Sequence, residues 1–120
     1  MLTVRTQNAS PAVSQPSRSA AILVASVPSL RRKTRIRRVD LAKKEQLRAE
    51  YTEMYPLHKV PLLRVEDGHL EGGPMIVPES HAIMRFLCTD RRNQVPDHFY
   101  PSCPRRRAQC DAVMQVLMRI

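Results

Sequence analysis

"HKVPLLRVEDGHLEGGPMIVPESHAIMRFL", residues 58–87, sets two apolar runs around a glycine-rich link and follows them at once with a serine-led segment. "KVPLLRV" and "PMIVP" are short and bounded by turn residues, which predicts two strands joined through "EDGHLEGG" as a hairpin. In "PESHAIMRFLCTD", Ser80 suits a helix cap, and Ala82, Ile83, Phe86 and Leu87 fall on one apolar stripe of a helix. The stretch therefore reads as a ββα unit.

Working backwards from residue 58, "KEQLRAEYTEMYP" places Leu47, Tyr51 and Met54 at i, i+4 and i+7, one side of a helix that Pro56 ends. "RIRRVDL" has Val39 and Leu41 two apart and fits a strand with one buried face. Ser14 ahead of Pro16 suits a helix start, because a hydroxyl can cap the exposed amides and proline in the first turn loses no hydrogen bond. The run "SAAILVAS" continues that helix up to Pro28, and its apolar residues fall on no single stripe, which predicts that it is largely buried. "LTVRT", residues 2–6, reads as a short strand. Two βα units followed by ββα give an α/β fold with a mixed four-stranded sheet and helices on its faces, the thioredoxin-like arrangement.

Working forwards from residue 87, a proline-rich connection, "NQVPDHFYPSCP", precedes "RRRAQCDAVMQVLMRI". The latter puts Cys110, Val113, Val116 and Leu117 on one side of a helix, an apolar stripe in need of a partner. The expected division is a thioredoxin-like unit at 1–90, a linker at 91–104, and at 105–120 the first helix of an all-α domain.

The net charge of +9 is concentrated at the front. Before Asp40 stand Arg5, Arg18, Arg31, Arg32, Lys33, Arg35, Arg37 and Arg38 with no Asp or Glu, whereas the remainder is nearly neutral. An acid-free, arginine- and serine-rich start has the composition of an organelle transit peptide, and "RRKTRIRR" that of a nuclear import signal or nucleic-acid patch. A solvated loop or the exposed face of a strand accounts for the same run. Aromatic residues make up only 4% of the chain and none interleaves with these arginines, so base stacking has no support and nucleic acid is not an expected partner. The longest apolar run, 20–25, is far short of a bilayer span, so no membrane is expected either. Cys88, Cys103 and Cys110 are odd in number and show no C-x-x-C spacing. Together with the four histidines they form no recognisable metal-ligand pattern, so reduced thiols and no metal are expected.

In order, "SQPSR", "VDLAKKEQL", "HKVPLL" and "PESHAIMRFL" resemble equivalent segments of glutathione transferases of the theta class. "DHFYPSCPRRRAQCDAVMQVL" resembles the linker and opening helix of their second domain, so the likeness runs from about residue 14 to 117. The resemblance implies glutathione as co-substrate and Ser14 as the catalytic hydroxyl that donates to its sulfur. It implies Gln15, Gln46, Lys59, Val60, Pro61, Glu79 and Ser80 as the binding set. Lys59 and Gln46 match positions near the glycine carboxylate, Val60 and a cis-Pro61 the strand edge that pairs with the cysteinyl backbone, and Glu79 and Ser80 the pair that holds the γ-glutamyl end. A small electrophile or peroxide is the implied second substrate, a homodimer an implied assembly, and the cytoplasm the implied compartment. Relatives continue with a helical domain of which only the first helix falls within these 120 residues.

Taken without the resemblance, Ser14 and Ser80 read as plain helix caps, Pro61 as a trans residue ending a strand, and Lys59 as a solvated amine. Two further readings stand beside the enzyme: a glutathione-transferase-like module that binds protein through its last helix, and an organelle protein whose residues up to about 38 are a cleaved leader.

Overall fold

The computed structural model describes residues 2–7, 15–66, 74–90 and 93–119. Along β1 (Leu2–Gln7), Leu2, Val4 and Thr6 are buried while Thr3 and Arg5 are only half-buried, the period-two alternation of a strand packed more tightly on one face than the other. β2 (Thr34–Val39) runs parallel to β1, with Leu2 opposite Thr34 and Gln7 opposite Val39. A parallel pair needs a crossover. Here it consists of α1 (Gln15–Ser26) and α2 (Pro28–Lys33). β3 (Leu62–Val65) lies antiparallel on the other side of β1, and β4 (Met75–Pro78) antiparallel to β3. The sheet order is β2-β1-β3-β4, the expected mixed four-stranded sheet.

The two faces of the sheet carry separate cores. On one, Leu2, Val4, Leu63 and Val65 meet Ala20 and Val24 of α1, Leu30 of α2, and Ile83 and Leu87 of α4 (Ser80–Thr89). On the other, Leu62 and Val39 meet Tyr51 of α3 (Ala49–Met54), with Leu41, Met54 and Ile76 at the margin. A buried leucine contributes about 1.5–3 kcal/mol relative to an exposed one, so the larger cluster holds most of the fold. Polar groups close it at one corner. Ser29 Oγ donates to the Asn93 carbonyl at 2.6 Å, and the buried Asn93 Nδ2 donates to the Leu87 carbonyl at 3.1 Å, joining α2 to the end of α4. A short 3-10 turn (Asp97–Phe99) then leads to α5 (Pro104–Arg119).

Five sequence expectations differ from the structure. The single helix expected around Leu47, Tyr51 and Met54 is a 3-10 turn (Glu45–Leu47) followed by α3, because Arg48 between them is extended at ψ 150°. Leu47 is accordingly 51% exposed while Tyr51 is buried. α1 is buried on one side only, with Ile22 56% exposed opposite Ala20 and Val24. The crossover holds a second helix, α2, where a single helix ending before Pro28 was expected, with proline at its start where no backbone donor is needed. On α4 the buried stripe is Ser80, Ile83 and Leu87 with Phe86 beside it, and Ala82 is exposed. Ser80 itself is the first residue of α4 rather than its cap; the capping position is Glu79, whose side chain makes no capping hydrogen bond.

Among the described residues no helix is long and apolar enough to cross a membrane, and no cluster of three metal-ligating side chains occurs. The arginines of 31–38 are exposed. Val113, Val116 and Leu117 of α5 are 58%, 58% and 48% exposed, the apolar stripe expected there.

Candidate functional site

Strand register brings several of the singled-out residues to one end of the sheet. Arg5 lies opposite Leu62, Gln7 opposite Val39, and Leu62 opposite Pro78. The last residues of β1, β2 and β4 and the first of β3 therefore share an edge. Val60 and Pro61 immediately precede β3 there, and Glu79 and Ser80 immediately follow β4. In open sheets of this kind ligands settle outside the carboxyl ends of parallel strands, beside helix N-termini.

The Val60–Pro61 peptide bond is cis. Pro61 is buried and Val60 half-buried, and the strand ladder begins only at Leu62, so the backbone N–H and C=O of Val60 lie outside it. Across from them Glu79 sits at φ 72°, ψ 128°, a conformation costly to a residue with a Cβ, of order 1–3 kcal/mol. The Glu79 side chain is exposed, and its carbonyl accepts the first-turn bond of α4 from Ile83 N–H at 2.9 Å. Ser80 is 5% exposed. The first turn of α4 holds no acidic residue and the Glu79 side chain makes no capping hydrogen bond, so the first amides of α4 have no side-chain cap.

The segment before Val60 is braced from α3. Tyr51 Oη donates to the Lys59 carbonyl. Burial pushes the Tyr51 hydroxyl up to about 12 against the opposing pull of Arg5, so it remains a donor throughout the neutral range. His58, at φ 56°, contacts the Gln46 carbonyl through Nδ1 at 2.9 Å. Because a carbonyl can only accept, Nδ1 carries the proton, and Thr52 Oγ1 at 3.3 Å is a second acceptor for it. This ties the Gln46 turn to the strand entry. Gln46 Oε1 is buried with no hydrogen-bond partner, an orphan acceptor of the kind a bound donor would satisfy. Lys59 is exposed, with its ammonium in no ion pair among the described residues.

Val60, Pro61, Glu79 and Ser80 thus share the sheet end, and Gln46 is joined to the Lys59 segment through His58. Ser14 lies outside the described residues. Gln15 begins α1. Sequence reasoning missed Tyr51 and His58 as positioning residues. Tyr51 was legible only as part of an apolar stripe, and the proximity of His58 to Gln46, twelve residues apart, has no sequence signal.

Away from the sheet end, a cavity of about 600 Å³ opens between α4 and α5, lined by Leu23, Met84, Cys88, Phe99, Cys110 and Met114 among others. At its margin Asp111 accepts from Tyr100 Oη at 2.8 Å and contacts His81 Nε2 at 3.1 Å, with Arg85 at 3.8 Å. Burial works to raise the Asp111 carboxyl, but the Tyr100 and His81 hydrogen bonds and the Arg85 charge outweigh it and hold it below the usual carboxylate range. Arg107 stacks over the Tyr100 ring at 4.4 Å and fixes α5 to the turn before it.

Comparison with known proteins agrees with this architecture. Residues 26–90 match the family model for the glutathione S-transferase N-terminal domain. The chain is 39% identical over 66 residues to glutathione S-transferase theta-1 of Bos taurus, covering 55% of this chain and 24% of that protein. It is 35% identical over 102 residues to glutathione S-transferase T1 of Arabidopsis thaliana, covering 85% of this chain and 37% of that one. The structure of human glutathione transferase theta-2 in complex with glutathione superposes at a TM-score of 0.69 with 31% identity, over 96% of this chain and 41% of that one. The chain therefore spans well under half the length of the relatives it matches. With residues 26–90 matching that model and the mixed sheet in agreement with these structures, this chain belongs to the glutathione S-transferase family, where it resembles the theta class through the N-terminal domain.

Proposed function

We propose that this chain supplies the glutathione-binding half of a theta-like glutathione transferase, with the sheet end as its site. The observation that carries the reading is the pairing of an uncapped helix N-terminus at Ser80 with a backbone edge at Val60 that the sheet leaves unused. A tripeptide with a carboxylate and an ammonium at one end, a thiol in the middle and a carboxylate at the other fits that order of groups. The first-turn amides of α4 and the Ser80 hydroxyl receive the γ-glutamyl carboxylate, and Glu79 accepts from the neighbouring ammonium. The Val60 backbone pairs with the cysteinyl residue next to cis-Pro61. Lys59 and Gln46 face the glycine end, one as a charge and the other as a neutral amide, and Gln15 adds to the set at the start of α1. Ser14 donates to the sulfur and so favours the thiolate, the nucleophile that attacks an electrophilic carbon or a peroxide oxygen.

Titration calorimetry with glutathione tests the binding set. Ser80→Ala removes one charge-assisted hydrogen bond and is expected to weaken affinity about tenfold, from a contribution of about 1.5 kcal/mol. Ser14→Ala is expected to leave affinity nearly unchanged while lowering thiolate absorbance at neutral pH. Absence of glutathione binding by the intact chain refutes the reading; thiolate absorbance unchanged in Ser14→Ala removes that serine from its role.

A second reading, a module that contacts protein, is favoured by the exposed Val113, Val116 and Leu117 on α5. The homodimer that the resemblance implies is assigned to the same face under this reading. Retention of a protein partner by a chain that does not bind glutathione would select it. A leader cleaved near Asp40 fits less well, since such a cut would remove β1 and β2, half of the four-stranded sheet, together with α1 and α2. The cytoplasm is the compartment we assign to the enzyme reading.

A further inference from the structure

The basic run of the sequence is not used by the sheet-end site. β2, which carries much of it, is an edge strand: β1 occupies one side and, among the described residues, no strand the other. Residues 35–38 are all exposed, and the guanidinium groups of Arg35, Arg37 and Arg38 have no hydrogen-bond or ion-pair partner among the described residues. The nearby carboxylates are already engaged, Glu50 with Arg5 at 3.1 Å and Glu45 with the Asp40 amide at 2.7 Å.

The faces of β2 follow from its register with β1. Arg37 lies opposite Arg5 and points to the α3 side, as does Arg35, whereas Ile36 lies opposite the buried Val4 and shares the other side with Arg38. A cleft of about 280 Å³ adjoins the end of the strand, lined by four arginines, Arg5, Arg37, Arg38 and Arg48, against two carboxylates, Glu45 and Glu50, with Val39 and Tyr51.

We propose that the open edge of β2 accepts an acidic, extended peptide as a fifth strand. The unpaired backbone groups of an edge strand give such a partner its hydrogen bonds, and directly opposed side chains give it selectivity. The pattern asks for carboxylates facing Arg35, Arg37 and Arg38 and an apolar side chain facing Ile36. Arg35 and Arg37 project on the same side about 6.7 Å apart, the spacing of alternate residues in a paired strand. A flat anionic lipid surface could meet only one of the two faces that carry arginine. A nucleic acid would find phosphate contacts but no exposed aromatic ring on β2 against which to stack a base.

The test uses the full chain and a fluorescein-labelled peptide, Thr-Glu-Glu-Val-Glu-Thr, followed by fluorescence anisotropy over a salt series. Saturable binding is expected, weakened as salt is raised. It should fall about tenfold in the triple variant Arg35→Glu, Arg37→Glu, Arg38→Glu, in which three attractive cross-strand pairs become like-charged. Circular dichroism checks that the variant is folded, as the exposure of all three side chains predicts. The same peptide N-methylated at alternate residues keeps its charge but loses its ladder donors, and is expected not to bind. Equal binding of the N-methylated peptide overturns the proposal in favour of charge alone. Tighter binding of a single-stranded oligonucleotide or of phosphatidylserine vesicles overturns it in favour of a phosphate surface, and absence of saturable peptide binding overturns it outright.

Discussion

Replacing Tyr51 with phenylalanine removes one oxygen and leaves the buried ring in place. The lost bond is the one to the Lys59 carbonyl, which fixes the entry to cis-Pro61. Since Lys59 is exposed, water can reach part of the freed carbonyl, and the cost at pH 7 is about 1 kcal/mol, the net value of a neutral hydrogen bond. The pH dependence separates this bond from generic packing. Burial raises the Tyr51 hydroxyl from 10.0 to about 12, so its contribution is complete below pH 10 and disappears as pH rises through 12. A shift of that size corresponds to roughly 2–3 kcal/mol at the alkaline limit. The phenylalanine variant lacks this liability. The wild type is therefore more stable at pH 7, the two are equal near about pH 11, and the variant is more stable above it. Urea unfolding at pH 7, 10 and 11.5 gives the difference, in which the titrations common to both chains cancel. A difference that stays constant over that range would refute the assignment of Tyr51 as a buried donor.

Three further outcomes follow from the packing and the electrostatics. Leu63→Ala, at a site with no exposure, should destabilise the chain by about 2–5 kcal/mol in urea unfolding, whereas Leu47→Ala at a half-exposed site should stay within about 0.5 kcal/mol. Burial pushes the Cys88 thiol up to about 11 while Cys103 is exposed, so iodoacetamide at pH 8 should label Cys103 first and Cys88 only on unfolding, as read by peptide mass mapping. Because the Asp111 carboxyl is held low in the fold, its stabilising effect is complete above its ordinary value of 3.8 and fades as pH falls below it. Asp111→Asn should therefore lower the thermal midpoint at pH 6 and make little difference at pH 2.

Most of the fold was legible from residue spacing. The hairpin strands and α4 show their boundaries through proline, glycine and serine, and the parallel β1–β2 pair follows from a helix lying between two strands. Leu47 shows where spacing fails. The i, i+4, i+7 pattern of Leu47, Tyr51 and Met54 says nothing about continuity, and one extended residue, Arg48, turns Leu47 outward. The half-exposed α1 has a similar cause: an apolar helix packed on one sheet face buries only the side that touches it, whatever the other side carries. At the candidate site the residue types could be singled out, but their conformations could not. The cis bond at Pro61 and the positive φ of Glu79 and His58 are set by tertiary neighbours, since none of these residues has an intrinsic need for them.

Asn93 gives the fold a practical edge. Its carbonyl holds Ser29 and its amide side chain holds Leu87, so a single residue beyond α4 fastens the crossover to the last helix of the sheet unit. Anyone trimming the gene to express the sheet unit alone would find Thr89, the last residue of α4, a natural-looking place for a stop codon. A product ending there would lose both latches and uncover the corner they close. A fragment meant to keep that corner closed must include residue 93.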